Sequence, residues 1–541
     1  MRVRDGRRTM NVNKLWLFAL WGITLSTQGH AYSQPLENFD YTSRDEDIVY
    51  RAAVVEYRAY DDMKDGGLAV LKENARMFVE YAAAAKQQVI FFFLSLSRVR
   101  PHRSMSVSPA AFASKTQALP DPAAAAVLCN STDTSESVEA VRVLSCAAAE
   151  LGIYLVVNLA ERVPSARECL DSGFDVYNTE VVFDRAGAVV AKYHKKSLYL
   201  EPGFTPGSQD DKEAIFTTDF GVTFTLQVCF DVLYPGPGTS NVVERGVKDA
   251  IMSSYWVDEL PFLTAPQVWQ SWSEGLAVNL MVANVHNPEE GALGSGIFRG
   301  LTSQDSLYTY DPNSGSKLLV GEVSQAVPER EDVGMGIYQE ATWIPTENGD
   351  GEAEEKNGQP ETEGREIRSE RVFLHEDLER YSSYVLERGD GAMERSLCHN
   401  DSLCCSVTYS FPADLTDNSS FLLLAYSGVS EKGGGAYKLF TQVCAVVYCL
   451  NENVTSCARV EENGPSQKTS FRAHNVTGDF DTSYIYPSVF TQDFKLVDAS
   501  LWDFESSFSS EKLVKSTLVL HEEVDNLLSL TLFGRWFDRD P

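Results

Sequence analysis

Short apolar runs of strand length alternate with longer helix-like segments from about residue 47 to residue 345. The runs are residues 50–55, 153–158, 180–183, 224–228 and 250–252. Residues 69–85 have the length and composition of a helix. Consecutive β-branched and apolar residues bounded by polar loops are typical of strands buried on both faces in a layered α/β structure. The pattern therefore predicts an α/β fold for this part of the chain.

The pattern changes after residue 345. Between Thr346 and Glu363 seven acidic residues face a single lysine, which is typical of a solvated linker. From about residue 371 the chain is strand-like without a helical stripe. We therefore predict a first domain over residues 42–345, an acidic linker over residues 346–370, and a smaller β-rich domain over residues 371–541.

The N-terminal segment is typical of a secretory signal. Residues 15–25 are apolar, and Gly29-His30-Ala31 offers the small-x-small pattern of a cleavage site. Residues 1–31 are predicted to be a signal peptide, with a buried helix or an uncleaved anchor as the alternatives. We expect no membrane-spanning segment elsewhere, and residues 532–541 do not form the hydrophobic tail of a GPI signal.

Cysteines and glycosylation sequons fit a secreted, extracellular protein. Six of the ten cysteines lie in the last domain and predict up to three disulfide bonds, with the connectivity left open. Cys129 and Cys146 are candidates for a further pair. The N-x-S/T sequons fall at Asn130, Asn400, Asn418, Asn453 and Asn475.

The charge of the chain bears on its partners. Its 541 residues carry 77 acidic and 46 basic side chains, a formal net charge of −31. Because nucleic acids and anionic membranes are bound through excess Lys and Arg, neither is an expected partner.

Two short segments contain candidate chemistry. Val228-Cys229-Phe230-Asp231 places a thiol where a strand ends and the chain turns, and Cys229 has no cysteine near it in the sequence. The alternatives are an inert buried thiol and a disulfide partner. Upstream, the segment from Lys192 to Lys196 is basic and follows a strand, and its alternative interpretation is a solvated turn.

Several motifs in order resemble the vanin/biotinidase (pantetheinase) branch of the nitrilase superfamily, and insect vanin-like proteins in particular. The motifs are residues 177–184 (YNTEVVFD), 193–195 (YHK), 229–231 (CFD), 254–256 (SYW), 284–286 (NVH), 294–297 (GSGI) and 530–535 (LTLFGR). The resemblance implies an α-β-β-α sandwich with a Glu-Lys-Cys triad, followed by a β-rich, disulfide-containing accessory domain. It also implies hydrolysis of pantetheine-like or biotinyl-lysine-like secondary amides without a metal or an organic cofactor.

By this resemblance Cys229 is the nucleophile and Lys195 the catalytic lysine. An ammonium group near the thiol favours the thiolate and, with the backbone N–H of Phe230, stabilises the oxyanion. A carboxylate must then move the protons.

Three neighbouring residues have weaker claims to a role. Glu201 is a candidate for orienting Lys195, or an ordinary loop glutamate. Trp256 is a candidate pocket wall, or a core aromatic. His194 is expected to be a structural neighbour of Lys195 rather than the base.

The triad glutamate is missing from its expected place. In the family an apolar run ends in Pro-Glu at the end of the second strand, but residues 88–100 here read QVIFFFLSLSRVR, and no Asp or Glu occurs from Tyr81 to Pro120. The pyrimidine-rich codons of Phe, Leu and Ser suggest that residues from about 91 to before Pro120 come from a mispredicted splice junction. The alternative is a genuine pseudoenzyme.

The sequence thus predicts a secreted amidohydrolase that acts on a small amide through a Cys229 thioester and is impaired as written. The alternative is a catalytically silent secreted glycoprotein with a binding role. A metal hydrolase is poorly supported, because the eight histidines and ten cysteines show neither H-x-x-x-H nor C-x-x-C spacing.

Overall fold

Strands and helices in the first part of the chain follow the apolar pattern of the sequence. The computed structural model describes residues 48–60, 67–86, 91–95, 116–133, 135–165, 173–302, 304–325, 373–411, 420–459, 470–509 and 513–541. The predicted signal peptide, the acidic linker, Cys169 and Asn418 lie outside these residues.

The secondary structure before residue 326 confirms the predicted strands and the predicted helix. The strands are β1 (Val49–Glu56), β2 (Phe91–Ser95), β3 (Tyr154–Pro164), β4 (Phe174–Phe183), β5 (Val189–His194), β6 (Ile215–Thr217), β7 (Thr223–Val228), β8 (Asp249–Ser254), β9 (Glu259–Leu260), β10 (Asn279–Asn284), β11 (Ser295–Arg299), β12 (Gln304–Thr309) and β13 (Lys317–Ser324). The α-helices are α1 (Gly67–Ala85), α2 (Glu139–Leu151), α3 (Gly238–Arg245) and α4 (Ala265–Leu276).

Two six-stranded sheets form the centre of this part. Their strand orders are β13-β1-β2-β3-β4-β5 and β12-β11-β10-β8-β7-β6. β1, β2 and β3 are mutually parallel neighbours, and so are β7, β8 and β10, whereas the outer strands pair antiparallel. The C-terminal ends of the parallel strands therefore present several loops at one edge of each sheet.

Alternate residues of one strand face different layers of the core. Ala53 and Val55 of β1 pack in a cluster with residues of α1 and α2, while Ala52 and Val54 pack with residues of the second sheet. Burial on both faces is the physical reason for the continuous apolar runs, since neither face meets water. The arrangement confirms the predicted α-β-β-α sandwich.

The second part is built from strands. They are β14 (Leu374–His375), β15 (Ser382–Val385), β16 (Met393–His399), β17 (Leu403–Ser410), β18 (Ser420–Lys432), β19 (Tyr437–Cys449), β20 (Ser470–Phe480), β21 (Ile485–Thr491), β22 (Trp502–Phe508), β23 (Val514–Leu520), β24 (Val524–Asp525) and β25 (Leu527–Arg535). They form two sheets, β15-β18-β19-β25-β21 and β16-β17-β20-β23-β22, with β24 beside β20. A shared apolar cluster lies between the sheets and confirms a β-rich second part.

The described residues of the two parts belong to one compact unit. Helix α4 packs against β21, and β14 pairs in parallel with β9 of the first part. A Cβ atom on Gly275 of α4 would lie 2.5 Å from the carbonyl oxygen of Ile485. The close approach of α4 to the second part therefore requires glycine at this position.

Four disulfide bonds are present among the described cysteines. Cys129 pairs with Cys146 as predicted, and the six cysteines of the second part form Cys398–Cys404, Cys405–Cys444 and Cys449–Cys457. The prediction of three bonds in that part is confirmed. None of the helices described here has both the length and the apolar character needed to cross a bilayer.

Candidate active site

Cys229 lies at the end of β7, at the first position of a short 3-10 helix, Cys229–Leu233. Its φ of +49° is a left-handed conformation that is uncommon for residues other than glycine, and such strain is concentrated at functional sites. The side chain is 7% exposed, and its Sγ donates to the carbonyl oxygen of Tyr255 at 3.6 Å. Among the described cysteines it is the one outside a disulfide bond, so its thiol is available for chemistry.

Lys195 follows β5 directly and is 2% exposed. Burial acts to lower the pKa of Lys195, but the negative charges of Cys229, Glu201 and Asp231 outweigh it and raise this pKa. The ammonium group therefore stays charged, and the thiol of Cys229 lies close enough to act on it electrostatically. The structure brings together the two residues that the sequence predicted as nucleophile and lysine.

Glu201 holds the ammonium group of Lys195. It forms an ion pair with Lys195, accepts from the backbone N–H of Tyr199 at 3.2 Å, and accepts from the side-chain amide of Asn178 at 2.8 Å. Burial acts to raise the pKa of Glu201, and the charge of Lys195 outweighs it, so the pKa is lowered. Both oxygens of this carboxylate accept hydrogen bonds, and its role in orienting Lys195 stays a prediction.

Asp231 connects the turn after β5 to the 3-10 helix that begins at Cys229. Its carboxylate accepts from the Tyr193 hydroxyl at 2.9 Å, from the Ser197 N–H at 2.8 Å and from the Val228 N–H at 3.0 Å. Burial raises the pKa of Asp231 to about 6 despite the nearby charge of Lys195. These bonds fix Lys195 relative to Cys229.

A second buried carboxyl lies between the two sheets. Glu180 of β4 accepts from the Ser253 hydroxyl of β8 at 2.8 Å and is fully buried. Burial raises its pKa to about 8, although the hydrogen bonds from Ser253 act in the opposite direction. Burial therefore favours the neutral form of Glu180, and the nearby charge of Asp231 acts in the same direction.

The remaining predicted residues occupy defined positions. Phe230 directly follows Cys229, and the centroid of its ring lies 4.8 Å from that of the Tyr199 ring. Trp256 is 6% exposed, donates its indole N–H to the Leu263 carbonyl oxygen, and packs its ring edge-to-face against Trp269. These contacts are those of a core aromatic, and its use as a pocket wall stays a prediction.

His194, the last residue of β5, is engaged by partners other than Lys195. Its Nε2 lies 2.8 Å from the carboxylate of Glu161, and its ring stacks on Tyr177 at 4.0 Å. The Glu161 carboxylate also pairs with Lys192. These contacts suit a structural neighbour.

In the family that this sequence resembles, the triad glutamate follows the strand that corresponds to β2. β2 lies between β1 and β3. Residues 96–115, which follow it, lie outside the described part of the chain. At the end of neighbouring β1, Glu56 is held by His286 Nδ1 at 2.8 Å and by the Gly294 N–H at 2.7 Å. Those bonds occupy both oxygens of Glu56 and leave it poorly suited to replace the triad glutamate.

Comparison with known proteins adds an independent line of evidence. The family model for the carbon-nitrogen hydrolases matches residues 108–241, and that for the vanin C-terminal domain matches residues 371–540. A pantetheine hydrolase of Homo sapiens is 30% identical over 411 residues, which cover 73% of this chain and 70% of that protein. This chain belongs to the vanin family. Vanin-like protein 3 of Drosophila melanogaster is 29% identical over 427 residues, covering 75% of each protein, and a pantetheinase of Sus scrofa is 28% identical over 425 residues, covering 78% of this chain and 75% of the relative.

Membership of the vanin family confirms the family predicted from the motifs and establishes a hydrolase of carbon-nitrogen bonds in non-peptide amides. Within the described part of this vanin-family chain, no three His, Cys, Asp or Glu side chains converge in a way that could hold a metal ion.

Several residues that support the site of this vanin-family chain are not predicted from its sequence. Asp231 enters the prediction only as part of the CFD motif, and Asn178 and Glu180 only as part of residues 177–184. The available signal was a polar residue inside a predicted buried strand, as for Glu180, or close to one, as for Asn178 and Asp231, since a buried polar group needs a partner.

Proposed function

We propose that this vanin-family chain is built to cleave a linear secondary amide of the pantetheine or biotinyl-lysine type through a thioester on Cys229. The observation that carries the proposal is the pair formed by the free thiol of Cys229, in a strained turn, and the buried cation of Lys195. The names of the relatives, pantetheinase and pantetheine hydrolase, support a pantetheine-like substrate.

The Cys229 thiolate attacks the carbonyl carbon of the amide, and the carbonyl electron pair moves to the oxygen. The ammonium group of Lys195 and the N–H of Phe230 stabilise that oxyanion. Collapse of the tetrahedral intermediate breaks the carbon-nitrogen bond, and the departing amine takes up a proton. Water then attacks the thioester, releasing the carboxylic acid and restoring the thiol.

Both proton transfers need a carboxylate, and we propose that the chain as written lacks it. Tyr81 to Pro120 contains no acidic residue, and the carbon-nitrogen hydrolase match starts at residue 108, after β2. Glu201 and Asp231 are fully engaged by their partners. Loss of general acid–base catalysis reduces rates by about 10²- to 10⁴-fold. Sequencing the transcript across codons 88–120 tests the splice hypothesis, and an RNA that encodes residues 91–100 in frame would contradict it.

A silent binding protein is the second candidate function, and the missing acidic residue is the observation that favours it. The two candidates differ in what Cys229 does with an activated ester. A 4-nitrophenyl ester of the acyl group releases 4-nitrophenolate without protonation of the leaving group. The amide cannot release its amine until the nitrogen has taken up a proton. We expect the parent chain to release 4-nitrophenol in a burst and to carry an acyl group on Cys229 by mass spectrometry. Cys229→Ala is the matched control.

The outcomes separate the proposals. A burst with the ester and no amine release from pantetheine supports an intact nucleophile with a missing carboxylate. Amine release from pantetheine by the parent, lost in Cys229→Ala, supports full activity. No acylation of Cys229 by the ester contradicts the thioester proposal and leaves the binding role.

Secretion and glycosylation are also proposals. They are supported by the disulfide bonds, which form in oxidising compartments, and by the exposed positions of Asn130, Asn400 and Asn453. Asn475 is half-buried within β20. Expression in a eukaryotic secretory host tests both, through recovery from the medium and a mass shift on glycosidase treatment. Retention in the cell would contradict secretion.

A further inference from the structure

A β-hairpin of the second part extends to the candidate active site. It consists of β18 and β19, whose last cross-strand pair joins Lys432 to Tyr437. The connection contains three successive glycines, Gly433 to Gly435, each with a positive φ that other residues rarely adopt. Lys432 and Tyr437 both contact the first part of the chain from this end of the hairpin.

Tyr437 contacts the loop that carries Glu201. Its hydroxyl oxygen accepts a hydrogen bond from the backbone N–H of Leu200 at 2.6 Å, and its ring stacks on Tyr199 at 5.2 Å. Leu200 has a φ of +49°, a costly conformation for leucine. The bond from Tyr437 therefore helps to stabilise the loop in this costly conformation, directly before Glu201, the partner of Lys195.

The same ring also contacts the nucleophile's side of the site. Tyr437 lies edge-to-face against Phe230 at 5.1 Å, and Phe230 directly follows Cys229. One side chain of the second part thus touches both segments whose relative position sets the distance between the Lys195 ammonium group and the Cys229 thiol.

Two buried contacts fix the second part against this region. Lys432 forms ion pairs with Glu259 and Glu376 and is 3% exposed. Arg535 of β25 is fully buried and donates through Nε to the carbonyl oxygen of Leu233 at 2.9 Å, the last residue of the 3-10 helix that begins at Cys229. The hairpin is therefore a firm support for Tyr437.

We propose that Tyr437, from the accessory β-rich part, is a positioning residue that holds the Lys195–Glu201 loop against the helix of Cys229. The inference rests on the proposed role of Cys229 as nucleophile. Tyr437 acts through Glu201 and Lys195 and takes no part in bond making. It makes the second part of the chain a component of the site rather than a separate module.

The test compares Tyr437→Phe with the parent chain. Phenylalanine keeps the ring contacts and removes the hydroxyl that holds Leu200. The second-order rate constants for alkylation of Cys229 by iodoacetate and by iodoacetamide are measured, with the labelled residue identified by mass spectrometry. Because one hydrogen bond is worth a factor of roughly 2–10, we expect alkylation by iodoacetate to be slower by that factor. We expect a smaller decrease with neutral iodoacetamide, since Lys195 attracts the anionic reagent.

The ratio of the two rate constants distinguishes positioning of Lys195 from a general loss of structure. Tyr426→Phe is the matched control, because it removes a tyrosine hydroxyl from the same hairpin whose hydrogen bond, donated to the carbonyl oxygen of Val429, stays within the hairpin. We expect this control to leave the ratio unchanged. Hydrogen exchange of the peptide containing Leu200 provides a second measurement, and we expect it to be faster in Tyr437→Phe alone.

An unchanged ratio in Tyr437→Phe, with Cys229 labelled in the parent, would overturn the proposal and leave the nucleophile assignment intact. So would unchanged exchange at Leu200. If Cys229 resists both reagents in the parent chain, the nucleophile assignment fails, and the role of Tyr437 fails with it.

Discussion

Two lysines of this chain, Lys195 and Lys432, are alike in burial and in charge, but the groups beside them differ. Lys195 and Lys432 are 2% and 3% exposed, and each is paired with carboxylate. Burial acts to lower the pKa of both, and negative neighbours outweigh it, so both pKa values are raised. Both lysines are therefore charged inside the protein.

The difference lies in how the charges are balanced. Lys432 has two carboxylates, Glu259 and Glu376, and joins the two parts of the chain. Among the residues that the structure describes, Lys195 has one ion-pair partner, Glu201, and it interacts electrostatically with the thiol of Cys229. A buried ion pair by itself therefore does not mark a catalytic site. A buried cation beside a strained, unpaired thiol is a much sharper indicator.

Replacing Lys195 by methionine should have the largest effect on chemistry. Methionine fills the space without a charge, so thiolate formation and oxyanion stabilisation both lose the cation. We expect acylation of Cys229 by an activated ester to fall by about 10²- to 10⁴-fold, measured as the burst rate. Near-parental acylation would show that the cation is not needed. The melting temperature serves as the control for folding.

Replacing Lys432 by methionine should instead affect stability. It leaves Glu259 and Glu376 buried without their cation, and removal of one partner from a buried ion pair costs about 3–5 kcal/mol. Urea unfolding would measure the loss. We expect the further changes Glu259→Gln and Glu376→Gln to restore much of the stability. A single variant as stable as the parent would mean that the two carboxylates accept protons without cost.

Glu180 should make stability depend on pH in a direction opposite to that of a paired carboxylate. Its pKa is about 8 in the folded protein against 4.5 as a free side chain, so the folded state keeps a proton that the unfolded state releases. The contribution of Glu180 is complete below pH 4.5 and is lost as the pH rises through about 8, by an amount on the order of a few kcal/mol.

Urea unfolding at pH 5 and pH 8 measures this effect. We expect Glu180→Gln, which keeps the neutral hydrogen-bonding shape, to lose much of the decrease between these pH values. An equal decrease in parent and variant would assign the pH dependence to other groups.

Breaking an exposed ion pair should change the free energy of unfolding least, and it gives the lower limit against which the buried ion pairs are compared. Arg51 and Glu322 pair at 3.2 Å on antiparallel strands, with side chains 45% and 53% exposed. Water and salt screen such pairs, so Arg51→Ala should change the free energy of unfolding by about 0–1 kcal/mol. A larger change, measured by urea unfolding in low and high salt, would imply a packing role for this arginine.

Much of the fold could be predicted because two-sided burial leaves a clear trace in the sequence. The apolar runs at residues 50–55 and 224–228 correspond to β1 and β7, and the cysteines of the second part pair as an even set. The disulfide connectivity could not be predicted, because it depends on which strands lie side by side in the sheets.

The residues of the candidate site could be predicted only where they belong to a short motif or lie close to one in the sequence. Cys229 and Lys195 stand in recognisable motifs, and Glu201 lies six positions after Lys195. Tyr437 is more than two hundred residues from Leu200, so no local pattern connects them. Such contacts depend on how β18 and β19 pack against the first part. This packing cannot be inferred from the pattern of a single sequence.

The left-handed backbone at Cys229 makes the choice of residue there informative. Glycine occupies positive φ without a steric penalty, so Cys229→Gly would relieve the local backbone strain while removing the sulfur. Because a cysteine carries a steric cost in this conformation that glycine does not, backbone geometry alone gives no reason for a sulfur at the end of β7.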